Sequence, residues 1–145
     1  MGNLSDDIQS KFKNDRLKAL VNIKYTANWL NSMETEFFKP FGISPQQFNI
    51  LRILRGAKKE MKVQIVKQRM VERAPNATRL MDKLCEKKFI ERERCTHDRR
   101  VVYIKITTAG LQLLTEINES GSLSFLNKLT NEEAIQLNNL LDKIR

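Results

Sequence analysis

Between residues 75 and 106 the chain changes period once. PNATRLMDKLCEKKF repeats its apolar residues at three and four residue steps, whereas residues 90–95 (IERERC) and 101–106 (VVYIKI) alternate around the polar tip THDRR. A helical period that hands over directly to a period of two reads as a helix followed by a β-hairpin. Upstream, residues 62–71 form a weaker helix with Val63, Val66 and Met70 inward, joined to the next by a short turn, which is helix-turn-helix spacing. In the second helix Ala77, Leu80, Met81, Leu84 and Lys88 share one face, so Arg79, Asp82, Lys83 and Glu86 look outward. Pro75 suits its first helical position, although Ala74 is a poor cap before it.

Long helices flank this unit. Leu17, Leu20, Val21, Tyr25, Trp29, Met33 and Phe37 draw one apolar stripe along residues 15–38, which Pro40 and Gly42 end. Ser44, Pro45 and Gln47 spell a capping box with proline at the first helical position, and Phe48, Leu51 and Leu54 face inward from there to a stop at Gly56. Thr107 caps a helix carrying Leu111, Leu114 and Ile117, and residues 119–124 read as a bend. Thr130 and Glu133 form a second capping box, opening a helix striped by Ala134, Leu137, Leu140, Leu141 and Ile144. The expected fold is mainly α with a small β-hairpin, one domain over residues 1–145.

Charge is concentrated in the same unit. Residues 44–106 hold 17 Lys and Arg against 7 Asp and Glu, a surplus of +10, and the rest hold 9 against 10, or −1, within a total of +9. A localised positive field is the footprint of a polyanion partner. No apolar run approaches the roughly 20 residues of a membrane span, and the N-terminus lacks a secretory h-region, so a cytoplasmic protein is expected. No phosphate-binding glycine loop, nucleophile motif or ligand cluster points to an enzyme, a metal or a cofactor. His97 is the only histidine and reads as a solvated loop residue. Cys85 and Cys95 lack Cys-x-x-Cys spacing, so neither a disulfide nor a thiol switch is expected.

A helix-turn-helix followed by a basic hairpin is a winged helix, whose second helix enters the DNA major groove while the hairpin reaches an adjacent minor groove. Asn76, Thr78 and Arg79 stand where base edges would lie, and Arg73, Lys83, Lys87 and Lys88 suit phosphates. At the wing tip Asp98 can orient one guanidinium of Arg99 and Arg100 while the other meets the backbone. The DNA-contact candidates are thus Arg73, Pro75, Asn76, Thr78, Arg79, Lys83, Asp98, Arg99 and Arg100.

ISPQQFNILRILRG, PNATRLMDKL and KKFIERERCTHDRRVVYIKITTAGLQLL together resemble the MarR family of bacterial winged-helix regulators across nearly the whole chain. The wing pattern Asp98, Arg100, Ile104, Ile106, Thr107 and Gly110 is the most specific part of the resemblance. It implies a homodimer with Arg100 as the minor-groove arginine and Asp98 as its orienting partner. The module is residues 44–106, and residues 6–39 and 107–145 are the dimerisation helices. VQIVKQRM lacks the family's usual Leu-Ala pair, and Ala74 stands in place of its usual Ser or Thr cap.

Dimerisation also follows from surface. The apolar stripes of the first and last helices exceed what one small wing module can cover, and a second copy would cover them. A two-fold dimer implies an inverted-repeat site in double-stranded DNA, and the commoner outcome in the family is repression. Tyr25, Trp29, Met33 and Phe48 are candidates for a small-molecule effector pocket between frame and module, as the resemblance implies, or for packing at ordinary helical spacing. The rival functions are an RNA-binding winged helix, which would favour exposed aromatic platforms, and a protein-interaction module, which would not need two wing-tip arginines.

Overall fold

Ser44 opens the helix on which the rest of the module packs. Its hydroxyl accepts the Gln47 backbone N–H at 3.2 Å, and the Gln47 side chain accepts the Ser44 N–H at 2.9 Å, closing the expected capping box. The computed structural model describes residues 3–71, 75–121 and 124–145. In chain order these form α1 (Leu4–Asp7), α2 (Asp15–Phe38), a 3-10 turn (Lys39–Phe41), α3 (Pro45–Ala57), β1 (Met61–Lys62), α4 (Val63–Arg69), α5 (Ala77–Glu86), β2 (Ile90–Arg94), β3 (Val102–Ile106), α6 (Thr108–Glu119), a second 3-10 turn (Ser124–Lys128) and α7 (Asn131–Ile144).

Ile50, Leu51 and Leu54 of α3 sit at the centre of one apolar cluster, with Val66 from α4, Met81 and Leu84 from α5, Ile90 and Ile104 from the sheet, and Leu114 and Ile117 from α6. Each such side chain contributes roughly 1.5–3 kcal/mol by leaving water. This cluster fixes α5 and the hairpin against a common base. Helix α3 runs through Gly56 and ends one residue later, and Lys58 takes the left-handed conformation (φ 54°) that Gly56 was expected to supply.

The sheet has three antiparallel strands in the order β1-β3-β2, with Met61 opposite Ile104 and Ile90 opposite Ile106. Strand β1 has no counterpart in the sequence reading. Two residues are too short to show a period, and their pairing with β3 spans some forty residues of chain. In β2 only Ile90 is buried, and residues 91–94 are exposed, so the expected alternation stops where the hairpin leaves the body of the protein.

Thr107 seats the base of the wing. It caps α6 by accepting the Gly110 N–H at 3.1 Å, and its hydroxyl lies 2.7 Å from the Lys88 carbonyl and 3.1 Å from that of Phe89. Gly110 is buried against Phe89 and Ile106, and a methyl built there would overlap the Phe89 carbonyl oxygen. Besides Gly110, α6 buries Leu113, Leu114 and Ile117, while the expected Leu111 is exposed. Lys88, expected on the inner face of α5, lies beyond its end at φ 62° and is exposed.

The outer helices are less covered. Helix α2 buries only Phe38, and α7, opened by the Thr130–Glu133 capping box, buries nothing. Leu17, Leu20 and Tyr25 on α2 are exposed, as are Leu137, Leu140 (61%) and Ile144 (68%) on α7. Of the expected bend over residues 119–124, Ser122 and Leu123 lie outside the described residues.

Candidate nucleic-acid interface

Helix α5 begins at Ala77 rather than at Pro75. Asn76 is the residue before it, with no side-chain cap bond, and Pro75 sits in the preceding turn. An uncapped start leaves amide donors of the first turn without a side-chain partner. Ala77, Met81 and Leu84 are buried on one face, as their spacing required. On the other, Thr78, Arg79 and Lys83 are exposed, and their side chains make no hydrogen bond or ion pair among the described residues. Pro75 and Asn76 are exposed as well. Arg73 and Ala74 lie outside the described residues.

At the hairpin tip Asp98 makes two contacts with Arg100. Its carboxylate accepts the Arg100 backbone N–H at 3.0 Å and lies 3.6 Å from the guanidinium Nε. The Val101 N–H bonds the Asp98 carbonyl at 3.0 Å, and the Cys95 N–H bonds the Val101 carbonyl at 2.9 Å. The shorter contact therefore shapes the turn, and the looser one leaves the Arg100 side chain 94% exposed. Arg99 beside it is exposed too. A turn pinned by a carboxylate, with a long cation projecting from it and only loosely paired, leaves most of the guanidinium open to an outside partner.

Helix and hairpin are joined directly. Arg92 of β2 and Asp82 of α5 form an ion pair at 2.7 Å, their side chains 32% and 46% exposed. The sequence placed Asp82 on the outer face; the structure adds that it looks toward the wing. Cys85, one turn further along α5, has its thiol pKa raised by burial, against an opposing effect of the Arg92 charge and with the Asp82 and Glu86 carboxylates adding to it. At the end of α5 the Lys87 ammonium donates to the Gly42 carbonyl, so this expected phosphate contact also braces the turn before α3. Strands and spacing give no sign of either link in the sequence.

Of the four effector-pocket candidates, Tyr25, Trp29 and Met33 follow one another at four-residue steps along α2, and Phe48 lies on α3. Trp29 packs edge-on against Phe125, with ring centroids 5.7 Å apart, and Tyr25 is exposed. Met33 is half-buried. Phe48 stacks on Phe38 at 4.5 Å with the Arg52 guanidinium 5.8 Å above its ring, and lines a crevice of about 160 Å³ with Glu34, Asn49, Arg52, Met70 and Val71. No group of His, Cys, Asp and Glu side chains suited to a metal ion occurs among the described residues, and none of their helices is long and apolar enough to cross a membrane.

The MarR family model matches residues 43–102, from the turn before α3 to the start of β3. The uncharacterized HTH-type transcriptional regulator YpoP of Bacillus subtilis is 34% identical over 107 residues, covering 70% of this chain and 74% of that protein. Among solved structures, a MarR transcription factor from Planctomyces limnophilus superposes with a TM-score of 0.70 at 30% identity, covering 92% of this chain and 98% of the other. A mutant MarR from E. coli, complexed with operator DNA, gives a TM-score of 0.70 at 25% identity over 99% of both chains. The winged helix-turn-helix, its Asp98–Arg100 tip and these relatives agree, and the chain belongs to the MarR family of transcriptional regulators, which are not enzymes.

Proposed function

We propose that the protein is a homodimeric repressor that binds an inverted-repeat site in double-stranded DNA and is released from it by a small ligand. The observation that carries this reading is the ion pair between Asp82 and Arg92, which joins an exposed face bearing Thr78, Arg79 and Lys83 to a wing whose Arg100 side chain is almost wholly in solvent. In this reading Asn76, Thr78 and Arg79 meet base edges, and Pro75 lies against the backbone at the entry to the groove. Lys83 and Arg73 meet phosphates, and Arg99 and Arg100, steadied by Asp98, reach the minor groove. Residues 44–106 form the reading module of a single domain, with residues 6–39 and 107–145 as the dimer frame.

Three further observations support the dimer, the DNA partner and the ligand in turn. The exposed leucines and isoleucines of α2 and α7 form apolar surface that a second copy would remove from water. The E. coli MarR structure contains operator DNA, which supports the same class of partner here. The crevice beside Phe48 is lined by Glu34 of α2 as well as by α3 and the residues that follow α4, so a ligand seated there touches both the frame and the reading module. It need only favour one separation of the two recognition helices to change affinity.

Selection of bound fragments from random or genomic DNA tests the reading. Recovery of a two-fold symmetric site, bound with a steep loss of affinity on adding salt, is the expected result. Enrichment of RNA over duplex DNA, or no enrichment at all, would overturn it.

A further inference from the structure

Gln47 does more than close the capping box of α3. It is 5% exposed and the one buried polar side chain among the described residues. Its Oε1 accepts the Ser44 N–H at 2.9 Å, while its Nε2 donates to the Leu80 carbonyl of α5 at 3.2 Å, across 33 residues of chain. Leu80 is mid-helix, so its carbonyl already serves the helical ladder, and the Gln47 bond takes the second lone pair. Two residues further along α3, the Asn49 Oδ1 accepts the Val71 N–H at 3.1 Å, just after α4. Helix α3 thus holds the helix-turn-helix on both sides of its turn by directed bonds, in addition to apolar packing.

Packing alone fixes separation better than it fixes rotation about a helix axis, because dispersion contacts are individually weak and not directional. A hydrogen bond to a backbone carbonyl, made from a buried side chain whose amide oxygen is already held by the Ser44 N–H, fixes rotation. We infer that Gln47 is a positioning residue for DNA recognition, orienting α5 through its bond to the Leu80 carbonyl. The inference rests on the proposed DNA-binding function. It assigns to Gln47 a part in specificity although the side chain touches no base.

Gln47→Glu separates this role from capping. A carboxylate keeps the acceptor for the Ser44 N–H and loses the donor to Leu80, whereas Ser44→Ala removes half of the capping box and leaves the donor in place. At neutral pH, Gln47→Glu is expected to bind the selected operator about tenfold more weakly than the parent, with affinity for random duplex unchanged. Its operator affinity should recover as the pH falls and the carboxyl gains a proton to donate, a recovery the parent lacks. Ser44→Ala should change the ratio of operator to random binding less than Gln47→Glu does.

Native-state amide exchange, which needs no DNA, should show the amides of α5 exchanging faster in Gln47→Glu while those of α3 keep their protection. Operator binding at the parent level, an equal loss for operator and random duplex with no recovery at low pH, or unchanged exchange in α5 would each overturn the inference. A parent without preference for any operator sinks the proposed function, and amide exchange then still decides whether Gln47 holds α5.

Discussion

Asp82 and Arg92 meet at 2.7 Å between the outer face of α5 and the first strand of the wing. Both ends of the bridge lie in the part of the molecule that would face a nucleic acid. Removing either charge changes two things: the brace between helix and hairpin, and the field presented to a partner. The pair is partly exposed, so solvent screens it and its direct contribution to folding is small, below about 1 kcal/mol.

A double-mutant cycle over Asp82→Ala and Arg92→Ala, followed by urea denaturation, should therefore give a coupling of about 0.5 kcal/mol that shrinks as salt is added. A coupling of several kcal/mol would mean that the bridge holds the fold rather than the wing's attitude. In DNA binding the order should reverse. Asp82→Ala leaves Arg92 without its partner and weakens selection of the operator over random duplex, which competition titrations measure.

Arg100→Ala and Arg79→Ala should leave the fold intact, because both side chains are exposed and neither supports the core. Their effects on binding should differ in kind. Loss of Arg79 relaxes discrimination at one base pair of each half-site by roughly 1–3 kcal/mol. Loss of Arg100 weakens binding most at sites with a narrow A·T-rich minor groove beside the half-site. Parent-level affinity of both variants at moderate salt would remove the contact assignments.

The wing base is expected to be more sensitive than its tip. Gly110→Ala forces a methyl onto the Phe89 carbonyl, a backbone atom that cannot step aside, whereas Thr107→Ala removes a cap and the hydroxyl contacts to Lys88 and Phe89. The second change should cost about 1–2 kcal/mol, and the first should cost more. Thermal melts of the two variants against Arg100→Ala would rank them. Equal melting temperatures for all three would contradict the close approach at Gly110.

How much of this could be read from the sequence follows from the range of each interaction. The caps at Ser44, Thr107 and Thr130 are local, with donor and acceptor three residues apart, and each is present as the motif required. The change from a period of three and four to a period of two placed α5 and the hairpin for the same reason. What sequence missed is long in range. Strand β1 exists because Met61 finds Ile104, and Gln47 reads as a capping residue until Leu80 is brought to its other end. Asp82 has the spacing of a solvated face and acquires a partner only when the wing folds back. Helix α5 starts two residues after Pro75, because proline suits a turn as well as a first helical position and the turn here extends through Asn76.

Burial raises the Cys85 thiol above its ordinary range, and this sets its reactivity with pH. A thiol whose folded-state pKa is raised stays protonated at neutral pH, so the nucleophilic thiolate is scarcer than in an unfolded chain. In a Cys95→Ser variant, alkylation of Cys85 by iodoacetamide at pH 7–8 should be slower in the folded protein than in denaturant, and the gap should narrow as the pH rises well above that range. The folded state should lose stability in step, because forming the thiolate in place is costlier than forming it in the unfolded chain. Labelling as fast in the folded as in the denatured protein at pH 7 would contradict the burial.

The exposed faces of α2 and α7 carry the strongest expectation about assembly. No residue of α7 is buried, yet Leu137, Leu140 and Ile144 fall on it at helical spacing, an arrangement that exposes apolar area with no return in a lone chain. If a second copy covers that face, Leu140→Glu puts a charge in the interface, while in a lone chain the same change falls on an exposed position and costs within about 0.5 kcal/mol. Sedimentation should then show a dimer for the parent at micromolar concentration and a shift toward monomer for Leu140→Glu. Because a monomer engages one half-site at a time, operator affinity should fall while a single half-site is bound as before. A parent that sediments as a monomer at that concentration, or a Leu140→Glu variant that stays dimeric with full operator affinity, would place the dimer surface elsewhere or remove it.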